Sequence, residues 1–156
     1  MNIVWPLLRG RTGMLLGQVG VSVFFGAHYL MTGAVTGAYM NALALIQALL
    51  AIPLGERAGF RAAYLATLPV IAAAVWLTWG GLPSVFAAVG FALISLGRYQ
   101  LSTIRFRIFL LAAVPPWVAH NMLVGSIPGL IADSCALVTG ALALAYALRH
   151  PPLTKP

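Results

Sequence analysis

The sequence predicts an all-α membrane protein, a bundle of six transmembrane helices with both termini on the same side of the bilayer. Two observations carry this prediction: the residues are 62% hydrophobic and only 7% charged, and the basic residues cluster in alternate loops. A soluble domain carries about a quarter charged residues, so this chain cannot cover a water-facing surface. Its apolar residues form continuous runs, which favour helices over the alternating strands of a membrane barrel.

Turn-forming Gly and Pro residues divide the chain into six apolar segments, each close to the length of about 20 residues that a spanning helix needs. The predicted spans cover residues 13–32, 36–54, 61–79, 83–99, 106–124 and 128–148. We expect residues 1–150 to form a single transmembrane domain. Residues 151–156 are expected to form a short disordered cytoplasmic tail, because this segment is rich in proline and too short to fold.

The basic residues predict the orientation. All nine Lys and Arg residues precede the first span, lie in or beside the connections between spans two and three and between spans four and five, or follow the sixth span: Arg9, Arg11, Arg57, Arg61, Arg98, Arg105, Arg107, Arg149 and Lys155. Cytoplasmic loops are enriched in Lys and Arg, so both termini are expected in the cytoplasm. Arg98, Arg105 and Arg107 are expected to contact anionic headgroups. The net charge of +7 thus reflects topology, and no nucleic-acid partner is expected.

The sequence contains an internal repeat. Residues 27–52 align without a gap on residues 119–144, at an offset of 92 positions. The matched polar and turn residues are His28 with His120, Gly33 with Gly125, Gly37 with Gly129 and Asn41 with Asp133. The repeated unit is a helical hairpin, formed by helices 1–2 and again by helices 5–6. Four spans separate the copies, so they run in the same direction, as in the parallel repeats of some transporters.

Polar side chains inside the spans are the candidates for a functional site, because they are costly in lipid and usually face the bundle interior. Asp133 is the clearest candidate, and His28 and His120 are its expected partners. Asn41 lies at a similar depth, and Asn121 borders the same layer. Such a layer suits the binding of a polar solute or a proton relay. In the alternative interpretation, each histidine caps its own hairpin.

The fifth span carries Pro115, Pro116 and Trp117 near its middle. Proline removes a helical hydrogen bond and kinks the helix, and such interruptions line cavities in transporters. We therefore expect a kink at Pro115 and Pro116, and Trp117 joins the candidate substrate-binding residues. A kink that serves only packing is the alternative.

The run from Pro115 to Asn121, followed by Gly125, Ser126 and Gly129, resembles the YgjV-like family of bacterial inner-membrane proteins. The resemblance covers the fifth and sixth spans closely and the remainder by size and hydropathy. It implies a multi-pass fold in the bacterial inner membrane. A duplicated hairpin with an intramembrane proline also distantly resembles the SWEET, SemiSWEET and PQ-loop transporters. The chain departs from that pattern, because only two spans follow the fourth and the proline precedes a second proline rather than glutamine.

The leading hypothesis from these features is a small carrier or facilitator for a polar solute, with proton coupling as an option. The alternative is a structural or accessory subunit of a larger membrane complex, or a homo-oligomer, since little of the chain lies outside the bilayer. The sequence contains no nucleophile–base–acid set, phosphate-binding loop or compact metal-ligand motif. We therefore expect no enzymatic activity, no metal and no cofactor.

The orientation is open to a labelling experiment. Single cysteines placed in the connection at Arg57 and in the connection that precedes Arg107, in a chain whose Cys135 is replaced by serine, are expected to react with an impermeant reagent from the cytoplasmic face only. Labelling of the two positions from opposite faces of the bilayer would contradict the six-span topology.

Overall fold

The structure, a computed structural model, describes residue 8, residues 10–55 and residues 57–149 of the chain. The described secondary structure is entirely helical. The helices are α1 (Arg11–Met31), α2 (Val35–Leu54), α3 (Ala58–Leu77), α4 (Leu82–Tyr99), α5 (Thr103–Ala112), α6 (Val114–Leu123) and α7 (Ile127–Arg149). The predicted tail at residues 151–156 lies outside the described residues.

Six segments of the described chain are long and apolar enough to cross a membrane, which confirms the six predicted spans. Helices α1, α2, α3, α4 and α7 each provide one span, and α5 with α6 together provide the fifth, Thr103–Leu123. The fifth span is interrupted at Ala113, immediately before Pro115 and Pro116. The two prolines occupy the first turn of α6, where a backbone N–H has no helical acceptor and its loss costs little.

Short turns make consecutive spans antiparallel, so the bundle has two ends. The neutral end contains the turns at residues 32–34, 78–81 and 124–126, which carry no Lys or Arg. The arginine end contains the connections at residues 55–57 and 100–102 together with the start of α1. The described arginines belong to this second half of the bundle.

The two turns that follow α1 and α6 have the same backbone hydrogen bonds. In the first turn Gly33 N–H donates to Leu30 and Ala34 N–H to Tyr29, and in the second Gly125 N–H donates to Met122 and Ser126 N–H to Asn121. This pair of bonds is the Schellman motif, which ends a helix on a residue in the left-handed region. Gly33 has a φ of 75° and Gly125 a φ of 67°, so both turns need glycine.

Helix α4 packs against α2, α3, α5 and α6 and forms the centre of the bundle. Small residues on α4 allow this close approach. A Cβ added to Gly90 would lie 2.7 Å from Trp117 Nε1, and one added to Gly97 would lie 2.9 Å from Phe109 Cβ. Phe91 of α4 is fully buried against Met40 of α2 and the neighbouring apolar residues.

At the arginine end, two arginine side chains bind the last carbonyls of α4. Arg61 Nε and Nη2 donate to the Tyr99 carbonyl at 3.0 and 2.7 Å, and the guanidinium lies 4.6 Å from the centre of the Tyr99 ring. Arg11 donates to the Gln100 carbonyl at 2.7 Å and to the Arg98 carbonyl at 2.5 Å. The last carbonyls of a helix lack intrahelical donors, so these arginines satisfy them and join α1 and α3 to α4.

Replacement of Arg61 by alanine is therefore expected to destabilise the protein by about 1–2 kcal/mol, because it leaves the Tyr99 carbonyl without its donors. Thermal unfolding in detergent measures the effect. The matched control is Arg57→Ala, because Arg57 is exposed and makes no side-chain hydrogen bond to the described residues. Equal losses in the two variants would contradict a stabilising role for the Arg61 contact.

Candidate functional site

A cavity of about 110 Å³ lies inside the bundle, between α1, α2, α4, the interrupted fifth span and α7. We call it the central cavity. A buried water needs roughly 10–15 Å³ of such space, so the central cavity has room for several waters or for one small solute. Its lining combines apolar and aromatic residues with a few polar groups, which is typical of small-molecule sites.

The lining of the central cavity follows the offset of 92 residues seen in the sequence. Among the described residues that line it, fourteen of sixteen form pairs 92 positions apart, and the remaining two, Ile94 and Arg98, belong to α4. The seven pairs are Gln18 with Leu110, Val21 with Ala113, Ser22 with Val114, Phe25 with Trp117, Tyr29 with Asn121, Asn41 with Asp133 and Ala44 with Ala136. Each pair takes one residue from the α1–α2 hairpin and one from the fifth span or α7.

A chain of hydrogen bonds in this lining joins α1 to α7. Tyr29 Oη donates to Asn121 Oδ1 at 2.6 Å, and Asn121 Nδ2 donates to Asp133 Oδ2 at 2.7 Å. Tyr29 and Asn121 are each 1% exposed. The other Asp133 carboxylate oxygen has no hydrogen-bond partner among the described residues, so Asp133 keeps an acceptor for a ligand.

Asn41 and Asp133 lie at the same level of the bundle. Position 41 is six residues beyond Val35, where α2 begins, and position 133 is six residues beyond Ile127, where α7 begins. Asn41 Nδ2 donates to the Gly37 carbonyl at 2.9 Å within its own helix. Asn41 therefore lines the central cavity without joining the hydrogen-bond chain to Asp133.

The aromatic part of the lining is built around Trp117. Its ring stacks on Tyr29 with centroids 6.1 Å apart and an interplanar angle of 8°, and Phe25 lies beside Tyr29 at 5.7 Å. The close approach of Trp117 to Gly90 fixes it against α4. Three aromatic side chains therefore line the same cavity as Asp133.

Arg98 closes the cavity on its α4 side. It is 1% exposed, and it donates from Nη2 to Gln18 Oε1 at 2.7 Å, from Nη1 to Gln47 Oε1 at 2.8 Å and from Nη1 to the Ala44 carbonyl at 3.1 Å. The prediction that Arg98 contacts lipid headgroups is wrong. The buried amides of α1 and α2 hold its guanidinium inside the protein. The same prediction is wrong for Arg107, which is 8% exposed and donates from Nη2 to the Leu8 carbonyl at 2.7 Å, whereas Arg105 is exposed as expected.

The two histidines lie apart from Asp133. His28 Nε2 is 2.9 Å from Ser126 Oγ, and His120 Nδ1 donates to the Pro83 carbonyl at 2.9 Å. Neither histidine lines the central cavity. The expectation that they pair with Asp133 is therefore wrong, and so is the alternative in which each caps its own hairpin. Each connects its helix to a different element, because one binds the turn before α7 and the other the start of α4.

His120 instead borders a second cavity, of about 240 Å³, at the neutral end. Hydroxyl groups from three elements meet there: Thr36 Oγ1 lies 2.9 Å from Thr78 Oγ1 and 2.8 Å from Ser84 Oγ. These bonds join α2, the end of α3 and the start of α4. Among the described residues, no group of three or more His, Cys, Asp or Glu side chains could hold a metal ion.

Four of the residues predicted for the site line one cavity in the structure: Asp133, Asn41, Asn121 and Trp117. Arg98 lines it too, although its position one residue before the end of the predicted fourth span favoured a surface role. One signal was present: Gln18 and Gln47 lie deep in apolar spans, and buried amide oxygens need donors. Arg98 supplies those donors from a third helix.

The fold and the cavity define a multi-pass helical membrane protein with a small, partly polar internal site. A family model described as a bacterial inner membrane protein, Imp-YgjV, matches residues 3–149. The chain therefore belongs to this family of bacterial inner-membrane proteins, which confirms the resemblance noted in the sequence. Neither the curated proteins nor the solved structures contain a significant match to it.

The close packing of Gly129 against the site gives a test of its geometry. A Cβ at position 129 would overlap the Asn121 amide, so Gly129→Ala is expected to displace Asn121 and to destabilise the protein by about 1–3 kcal/mol. Gly59→Ala is the matched control, since a Cβ there meets nothing within 4 Å and removal of a helical glycine is neutral or stabilising. Unfolding curves that rank the two variants in the opposite order would contradict this packing.

Proposed function

We propose that the protein is a small carrier or facilitator for a polar solute and that the central cavity is its binding site. The observation that carries the proposal is the paired lining of this cavity, in which seven residues of the α1–α2 hairpin and seven matched residues of the fifth span and α7 meet. A site at the interface of two repeats is the arrangement found in many secondary transporters.

The proposal includes a true duplication of the helical hairpin, α1–α2 and α5–α7. The identical Schellman turns at Gly33 and Gly125 support it. The contact between Tyr29 and Asn121 supports it as well, because these matched residues bind each other. In a two-fold arrangement, contacts between equivalent residues occur at the axis. A pseudo-two-fold axis along the membrane normal would then pass through the central cavity.

The interrupted fifth span favours transport over a purely structural role. Ala113 and Val114, at the break, line the central cavity. Broken helices at membrane depth occur where they border protein or a water-filled cavity, and they let one half of a span move relative to the other. We place both termini in the cytoplasm, since the described arginines share one end of the bundle and cytoplasmic loops are enriched in basic residues.

Proton coupling is the optional part of the proposal, and Asp133 is its candidate carrier. It is the single acidic side chain among the described residues, and it lines the cavity. Ionisable groups within membrane spans commonly serve substrate or proton pathways.

An accessory role in a larger assembly, or a homo-oligomer, is the second candidate. The exposed surface of α7 favours it, because Gly129 is the only buried residue of that helix in the described structure. Co-purification of a stoichiometric membrane partner in mild detergent, together with a failure to transport, would favour this role.

Uptake into proteoliposomes tests the carrier proposal. Purified protein is expected to move at least one solute from a panel of labelled sugars, polyols, amino acids, organic acids and amines. Asp133→Asn is expected to reduce that uptake at least tenfold, because it removes the carboxylate and keeps the shape of the side chain. Ser134→Ala is the matched control on the adjacent, exposed position of α7.

Two outcomes would count against the carrier. One is an absence of uptake for the whole panel by protein that is folded and correctly inserted. The other is an Asp133→Asn variant whose uptake equals that of Ser134→Ala while its thermal stability alone declines.

A further inference from the structure

Two side chains of opposite charge line the central cavity, yet they do not pair with each other. Among the described residues, Arg98 donates only to neutral oxygens, and Asp133 accepts from the neutral amide of Asn121. A buried charge is costly unless opposite charge accompanies it. The cavity therefore presents a cation and an anion whose counter-charges are missing from the protein itself.

The two charges are separated along the bundle axis. Asn41 of α2 and Asp133 of α7 lie at the same level of the bundle. The Ala44 carbonyl, which accepts from Arg98, is three residues further along α2 than Asn41. With a rise of 1.5 Å per residue, this carbonyl lies about 5 Å further toward the arginine end. Arg98 and Asp133 therefore lie at different levels of the central cavity, which both residues line, so a molecule bound between them meets the two charges at opposite ends.

A second donor accompanies Arg98. Gln18 Oε1 accepts from Arg98, and Gln18 Nε2 is buried without a hydrogen-bond partner among the described residues. Gln18 is 6% exposed, and its side chain lines the central cavity. A guanidinium next to an unsatisfied amide N–H is a favourable environment for a carboxylate, which accepts several hydrogen bonds.

The opposite side of the cavity suits a cation. Asp133 has one carboxylate oxygen without a partner among the described residues, and the rings of Phe25, Tyr29 and Trp117 line the same space. Aromatic faces attract ammonium groups, most strongly where water is excluded. A protonated amine would donate to Asp133 and lie beside these rings.

We propose that the ligand of the central cavity is a small zwitterion, such as an amino acid, with its carboxylate on Arg98 and Gln18 and its ammonium on Asp133. This inference rests on the proposed function and names its substrate class. Each ligand charge then supplies the counter-charge that a cavity residue lacks. A neutral polyol would leave both cavity charges without a counter-charge, and a simple ion would leave one of them without it.

Equilibrium binding to the purified protein in detergent tests the inference with matched probes. L-Alanine and β-alanine carry both charges, ethylamine lacks the carboxylate, and propionate lacks the ammonium. At least one of the two amino acids is expected to bind tenfold or more tightly than ethylamine and propionate. Equal affinity for ethylamine or propionate would overturn the assignment, and this comparison needs no variant.

Arg98→Gln assigns the carboxylate end. It is expected to weaken amino-acid binding at least tenfold and to leave ethylamine binding within twofold, whereas Arg105→Gln, at an exposed arginine of the same end, changes neither. If Arg98→Gln binds the amino acid as well as Arg105→Gln does, the proposed contact is wrong. Should Arg98→Gln fail to fold, the comparison of probes on the unaltered protein decides.

Failure of the zwitterion proposal can be distinguished experimentally from failure of the carrier proposal. Uptake of glycerol or a sugar into proteoliposomes, without binding of L-alanine or β-alanine, would overturn the zwitterion and leave the carrier intact. An absence of both binding and uptake for all probes would overturn both.

Discussion

The buried guanidinium of Arg98 is the interaction on which the arrangement of three spans depends. It binds Gln18 of α1 and both Gln47 and the Ala44 carbonyl of α2, while its own backbone belongs to α4. In a bilayer, helices gain little from apolar contacts with each other that they would not also gain from lipid. Directional hydrogen bonds to a fully buried side chain therefore specify how α1, α2 and α4 meet, and the central cavity lies directly beside this contact.

Around that contact, the two hairpins have turns with the same hydrogen bonds and side chains of different chemistry. Asn41 faces the cavity in one hairpin and Asp133 in the other. Phe25 and Trp117 differ in the same way. Such differences make the two sides of the cavity chemically unlike, because the carboxylate and the broken helix both belong to the second hairpin. The solute that we propose for this cavity would meet distinct surfaces on its two sides.

Much of the fold could be predicted from the sequence. The scarcity of charge, the lengths of the apolar runs and the one-sided arginines determine the number of spans, because each follows from the cost of polar groups in lipid. The offset of 92 residues also carried information about the site, since it paired Asn41 with Asp133 and both residues line the central cavity. The predicted bounds differ from the observed helices by only a few residues.

The details of the site were less predictable. The histidines were expected beside Asp133, but the depth of a residue along its helix does not determine the direction of its side chain. His28 and His120 turn toward the neutral-end turn and the start of α4. Arg98 was expected at the surface because it stands near the end of a span. Its burial depends on amides from two other helices, and a contact of this kind is invisible when each helix is considered alone.

The matching glycine turns have a consequence for the spacing of the chain. Each turn fixes the residue at which the following helix begins. It therefore determines whether position 41 of α2 and position 133 of α7 face the central cavity. One residue inserted between Gly33 and Asn41, or between Gly125 and Asp133, would rotate the polar side chain by about 100° around its helix axis. The amide or the carboxylate would then face lipid or a neighbouring helix. The length of these two short connections is thus as strict a requirement as the identity of the residues they position.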